Sequence, residues 1–253
     1  KERFSTMEEK AENPTVKLDS YESAEKFRSD NLITLKDVYT SHIEPIAESF
    51  TYRSQDIVTY VANEGVGKTS FVIGEVYDAL MQGVNVLMYS GETATIKVAA
   101  MLESIHIFKM YGLRFRVEDL INTDNIVDTP AYTRDRLVEM INSARIDLYN
   151  GESYGKLSLN LSFAYAHTRE VISNEFASTH YDLVVIDHTA AMDRTMDETA
   201  YRLGLNNIKN CIDYLMYCED KIVKKYNCMF INTSHTNNDA ERDIAKGKET
   251  GSR

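Results

Sequence analysis

The chain has 253 residues, of which 43% are hydrophobic and 26% charged, and its formal net charge is −11. That balance is enough for one folded core and excludes extended disorder. No apolar run approaches the roughly 18 residues of a membrane-spanning helix and no leader pattern opens the chain, so a soluble, cytoplasmic protein without a membrane partner is expected. The acidic balance repels nucleic acid on average, so any polynucleotide contact must come from a local feature. Cys211, Cys218 and Cys228 lack C-x-x-C spacing and read as reduced, buried side chains rather than disulfides or zinc ligands. A chain that opens on lysine and closes on G-S-R reads as a piece of a longer one.

Residues 1–31 read as an N-terminal arm or linker, polar and interrupted by Pro14. Within it Ser20 is placed to cap a short helix from Tyr21 to Arg28. Ser23 stands where a capping box carries Glu or Gln, and Phe27 is the one strong apolar anchor. So short a helix needs a partner surface, for which a neighbouring subunit is the candidate. From residue 56 apolar runs alternate with helical periodicity: D-I-V-T-Y-V-A, V-N-V-L-M-Y-S, L-S-L-N-L-S-F, D-L-V-V-I-D and C-M-F-I-N-T. Val98, Met101, Leu102, Ile105 and Phe108 repeat at helical spacing. Asp128-Thr129-Pro130 is expected to open the helix that carries Leu137, Met140, Ile141, Ala144 and Leu148. Gly83 and Gly151 suit helix exits, and the pattern after Asp197 reads as one long helix through Leu205, Ile208, Ile212, Leu215, Ile222 and Tyr226. The alternation predicts an α/β fold with a mostly parallel central sheet flanked by helices over residues 32–253.

The first strand runs into A-N-E-G-V-G-K-T-S, a phosphate loop with Ala62 in place of the usual first glycine. In such a loop Asn63, Glu64, Gly65, Val66 and Gly67 turn backbone N–H groups inward, and the helix opening at Lys68, Thr69 and Ser70 adds its N-terminus to the anion cradle. Lys68 supplies positive charge to the outer phosphates of ATP and the Thr69 hydroxyl a ligand to Mg²⁺. Asp187 ends V-V-I-D at a strand's carboxyl edge, where a carboxylate would hold the hydrated cation. Glu92 follows Y-S-G at another strand end and is the expected catalytic carboxylate, orienting water toward the γ-phosphate. A bland alternative makes Glu92 an N-terminal acid of the next helix. His235, after I-N-T-S, is a candidate γ-phosphate sensor because its strand should lie beside the phosphate-loop strand; His188, beside Asp187, ranks below it.

These blocks, in this order, resemble the RecA-like ATPase domain of the DnaB-like hexameric replicative helicases. Ala62 to Ser70 is similar to that family's first motif, Y-S-G-E-T to its strand ending in the catalytic glutamate, and V-V-I-D to its magnesium aspartate. Leu159 through His167-Thr168-Arg169-Glu170-Val171 resembles its strand followed by a helix opening with Thr and Glu-Val. His235 stands where the family carries a phosphate-sensing glutamine, and K-E-T-G-S is similar to a loop touching single-stranded DNA in a central channel, through Lys248, Glu249 and Gly251. The resemblance implies an ATP- and Mg²⁺-dependent motor, a homo-hexamer hydrolysing ATP at subunit interfaces, and a primase or loader as partner. It places the arginine finger outside this sequence. The departures at Ala62, Gly91 and His235 imply a divergent relative, with a phage as one candidate source. A recombinase-like or regulatory DNA-associated ATPase that unwinds nothing is the competing expectation. Lys97, Lys109, Arg114 and Arg116 are local positives that read first as a solvated face.

Overall fold

A computed structural model describes residues 19–32 and 35–235. Helix α1 (Tyr21–Leu32) is capped by a reciprocal serine pair: Ser23 N–H donates to Ser20 Oγ and Ser20 N–H to Ser23 Oγ, each at 3.1 Å. Serine thus takes the place that the capping box reserves for Glu or Gln, and the helix runs four residues past Arg28.

The central sheet is built from β3 (Ile57–Ala62), β4 (Val86–Ser90), β5 (Leu157–Leu161), β6 (Leu183–Asp187) and β7 (Met229–His235), as the apolar runs predicted. Its spatial order is β3-β7-β6-β4-β5 and every pairing is parallel. Every residue of β4 and β6 is buried, which explains why these strands read as continuous apolar runs without alternation. Their alternate side chains feed two cores. Leu87, Tyr89, Val184, Ile186 and Phe230 pack on one face beneath α7 (Thr168–Ser178) and α9 (Ile208–Tyr226). Val86, Met88, Leu183, Val185, Met229 and Ile231 pack on the other, against α3 (Lys68–Met81) and α4 (Thr95–Tyr111). A satellite cluster joins α4 to α5 (Val117–Ile121) and α6 (Arg134–Asn150) through Ile107, Leu120, Leu137 and Ile141.

A two-stranded antiparallel ribbon, β1 (Asp37–Tyr39) and β2 (Tyr52–Arg53), with the short helix α2 (Glu44–Ser49) between its strands, flanks α3. Tyr39 and Tyr52 stack at 4.5 Å, and the fully buried Glu75 of α3 accepts from Tyr39 Oη at 2.9 Å and Ser41 Oγ at 2.7 Å. Both side-chain oxygens are therefore satisfied, which is what a buried polar group requires.

Two further helix boundaries differ from expectation. Asp128-Thr129-Pro130 forms a turn closed by Thr129 N–H on the Tyr132 carbonyl, and the helix starts instead at Arg134 behind the cap Thr133. Asp128 still serves that helix, since its Oδ1 accepts the Arg134 N–H at 2.6 Å. The pattern after Asp197 is two helices, α8 (Glu198–Leu203), capped by Asp197, and α9, capped by Asn207; Gly204 at φ +69° turns the chain between them. All three cysteines are free and buried, as expected.

Glu219 interrupts the apolar face of α9. Its Oε2 accepts from Asn232 Nδ2 at 3.0 Å, while Glu219 Oε1 and Asn232 Oδ1, both acceptors, have no partner among the described residues. Burial pushes the Glu219 carboxyl up to about 8, and one proton on it converts an acceptor into the donor its neighbour lacks. A carboxyl raised on folding favours the folded chain where it is protonated. Its contribution is complete below the ordinary carboxylate range and is lost as pH rises toward 8. Glu219→Gln, which brings its own N–H donor, is expected to melt near the wild-type temperature at pH 5 and several degrees above it at pH 8.5. A margin that does not change with pH contradicts a neutral Glu219.

Candidate functional site

The parallel register brings four strand ends to one edge of the sheet. Ala62 lies opposite His235 and Ser90 opposite Asp187, so the loops leaving β3, β6 and β4 open along the edge that the end of β7 shares. After β3 the chain turns through Gly65 at φ +76° and Gly67 at φ +91°, conformations that disfavour side chains, and Gly67 is the N-cap of α3. Asn63, Glu64, Gly65, Val66, Gly67 and Ser70 are exposed, Lys68 and Thr69 half-buried. The Lys68 ammonium donates to the Ala62 carbonyl at 2.8 Å and the Asn63 carbonyl at 2.7 Å, and lies 2.9 Å from His235 Nδ1. The lysine is thus folded back on its own loop, its charge shared by groups an anion could replace.

Glu92 lies two residues beyond β4, outside α4, which begins at Thr95 behind Ala94. It is therefore not a first-turn acid of that helix. Its carboxylate turns across the sheet: Oε1 is 2.6 Å from His188 Nε2 and 3.8 Å from His235 Nε2. His188 Nε2 is in turn 2.8 Å from His235 Nε2. Glu92 and His235, singled out in the sequence, come together, and His188, ranked below them, joins them. Its position directly after the last residue of β6 was the available signal.

Asp187 is buried at the mouth of β6. Thr233 Oγ1 donates to its Oδ1 at 2.6 Å, and its Oδ2 is buried with no hydrogen-bond partner among the described residues. An orphaned, buried carboxylate oxygen at a strand mouth suits a cation or the water around it, and the oxygen donors of Thr69 and Asp187 are of the kind that Mg²⁺ takes. Glu92, His188 and His235 also cluster within metal-ligand range of one another. The proton arrangement argues against a second metal there: Ala190 N–H donates to His188 Nδ1 at 3.1 Å, which puts the proton of a neutral ring on Nε2, the atom that would have to coordinate.

One backbone contact ties the Glu92 loop to β6, Gly91 N–H donating to the Asp187 carbonyl at 2.7 Å, and the Ser90 hydroxyl closes the loop on itself by donating to the Thr93 carbonyl at 2.6 Å. A Cβ on Gly91 would lie 2.9 Å from Ala191 Cβ and 3.1 Å from its carbonyl oxygen, so glycine is required here by close approach.

The segment that follows β5 enters α7 at Thr168, which is fully buried and donates through Oγ1 to the Tyr165 carbonyl at 2.8 Å. Lys97, Lys109, Arg114 and Arg116 are exposed; Arg114 lies over the Phe108 ring at 5.0 Å and Arg116 pairs with Asp119 at 2.7 Å. Lys248, Glu249 and Gly251 lie outside the described residues. Gly91→Ala is expected to destabilise the fold by about 1–3 kcal/mol through overpacking against Ala191. Chemical denaturation measures it, and an unchanged midpoint contradicts the tight approach.

No family model and no curated protein matches the sequence. Among solved structures, the chain matches one described as an ATPase domain with a TM-score of 0.60 and 11% sequence identity, over 88% of this chain and 74% of that one. It also matches "The Structure Of A DnaB-Like Replicative Helicase And Its Interactions With Primase" with a TM-score of 0.62 and 11% identity, over 88% of this chain and 50% of that one. The chain therefore spans about half the length of that second protein. At this identity the likeness establishes the fold, which is the α/β RecA-like fold of these ATPase domains.

Proposed function

We propose that the chain is the ATPase motor domain of a divergent DnaB-like replicative helicase, binding ATP and Mg²⁺ and using hydrolysis at the interfaces of a homo-hexamer to move along single-stranded DNA. One observation supports the reading: Lys68, His235, Asp187 and Glu92 come from the carboxyl ends of four adjacent parallel strands or the loops that follow them, along the edge where the loop from Asn63 to Ser70 leaves β3. The backbone N–H groups of Asn63, Glu64, Gly65, Val66 and Gly67, with those at the start of α3, cradle the phosphates. Lys68 leaves the Ala62 and Asn63 carbonyls for the outer phosphate oxygens, which offer its ammonium full negative charge instead of neutral dipoles. Thr69 and the unpartnered oxygen of Asp187 would hold Mg²⁺, which when bound would supply positive charge against the phosphates. Glu92 orients the attacking water, and its half-exposed carboxylate faces the solvent from which that water comes. His235 contacts the terminal phosphate as a sensor.

The resemblance extends the reading to DNA contact through Lys248, Glu249 and Gly251 and to a primase or loader as partner; the arm before residue 32, whose short helix needs a partner surface, packs on the next subunit. The acidic balance is compatible with this, since a ring gathers a few loop residues about one strand.

With the full-length protein, Glu92→Gln is expected to keep ATP affinity within a few-fold while turnover falls about 10²–10⁴-fold. Unchanged turnover removes Glu92 from the catalytic role. The same protein is expected to separate a forked duplex with ATP and to form closed six-membered rings in images. ATP hydrolysis without strand separation, by filaments or monomers, points instead to a DNA-associated ATPase that does not unwind.

A further inference from the structure

The phosphate loop has few contacts of its own to hold its shape. Residues 63 to 67 are all exposed, and a Cβ built on Gly65 or Gly67 meets nothing within 4 Å. The form of the cradle therefore depends on its two stems, the end of β3 and the first turn of α3. β3 is a weak stem: among the described residues it pairs with β7 alone, and Thr59 and Val61, on the face away from α3, are exposed. In α3 no residue before Val72 is buried. Lys68 bridges the stems through the Ala62 and Asn63 carbonyls, but on the nucleotide reading it yields those bonds to a phosphate. The other bridge is aromatic. Tyr60 of β3 and Phe71 of α3 meet edge to face, with ring centroids 4.7 Å apart and planes at 73°. Tyr60 is held from behind as well. Its hydroxyl shares a hydrogen bond with that of the buried Tyr52, Tyr52 stacks on Tyr39 at 4.5 Å, and Tyr39 Oη donates to Glu75, one turn along α3 from Phe71. These contacts close a circuit from β3 through the N-terminal ribbon to α3 and back to β3.

We propose that Tyr60 is a positioning residue for the nucleotide: its ring fixes the spacing between the end of β3 and the start of α3, so that the N–H groups of the loop converge on a phosphate before one arrives. The proposal rests on the nucleotide reading above and adds a reason why an open loop on an end strand is ready to bind. A loop whose stems drift apart must be ordered by the ligand, and that cost is subtracted from affinity. An edge-to-face pair sets direction as well as distance, because the positive edge of one ring seeks the negative face of the other. An aliphatic side chain of similar reach fills the space without fixing an angle. The bond to Tyr52 fixes where the far end of the Tyr60 ring lies, and Glu75 ties the same ribbon to α3. Tyr60 stands two residues before Ala62, while Glu92 and Asp187 come from other strands, so its contribution belongs to binding and not to the chemical step.

The test is calorimetric titration of Mg²⁺ and a nonhydrolysable ATP analogue into the full-length protein and its variants, with steady-state hydrolysis measured beside it and folding checked by circular dichroism. Tyr60→Leu is expected to weaken analogue binding about three- to tenfold, the weight of one aromatic pair, and to raise KM for ATP rather than lower kcat. Phe71→Leu is expected to do the same, and it carries the test should Tyr60→Leu fail to fold. The double variant is expected to bind no more weakly than the weaker single one, because the second substitution removes a contact already lost. Tyr60→Phe keeps the ring pair and is expected to stay within about twofold of the wild type. A leucine variant with a lowered denaturation midpoint but wild-type affinity, losses that add in the double variant, or Tyr60→Phe as weak as Tyr60→Leu overturns the proposal and leaves the nucleotide reading standing. No heat of binding to the wild type overturns that reading, and the proposal with it.

Discussion

Everything at the strand mouths depends on register. His235 lies opposite Ala62 because β7 pairs with β3 from Ile57–Phe230 onward, and Asp187 lies opposite Ser90 because β6 pairs with β4 from Val86–Leu183 onward. Side chains alternate along a strand, so a slip of one residue in either pairing would exchange the two buried faces of the sheet. Leu87 and Met88 belong to different cores, as do Val184 and Val185, and such a slip would misplace all of them together. Packing far below the loops therefore sets the distances among Lys68, His235, His188 and Glu92.

The loop itself is open rather than preloaded. A Cβ built on Gly65 or Gly67 meets nothing within 4 Å, so these glycines serve the left-handed turn and leave room above it. The lysine fills part of that room by folding onto the carbonyls of Ala62 and Asn63. On the proposed reading, a phosphate chain wins this lysine by offering negative charge.

Much of this was legible in the chain because it is local. Five apolar runs announced five strands, and the turn from strand to G-V-G-K-T announced the loop and its helix. Other features were hidden for physical reasons. The break at Gly204 was masked because apolar spacing continues from Leu203 and Leu205 into α9, whereas the left-handed glycine that interrupts it leaves no periodic trace. The cap at Thr133 lost to Asp128-Thr129-Pro130 because both are good starts, and only the turn closed by Tyr132 decides between them. The anchoring of the N-terminal ribbon through Tyr39, Ser41 and Glu75 spans more than 30 residues of sequence. His188 meets Glu92 across 96 residues, and no local pattern marks that contact. The expectations for Lys248, Glu249 and Gly251 concern residues beyond those described.

The most direct measurement is calorimetric titration of Mg²⁺ and a nonhydrolysable ATP analogue into the full-length protein and into Lys68→Ala. The account predicts saturable binding by the wild type and loss of about a hundredfold or more in affinity when Lys68 is removed, the scale of a charged hydrogen-bond donor deleted from a phosphate site. No binding by the wild type, or equal binding by both proteins, would contradict it.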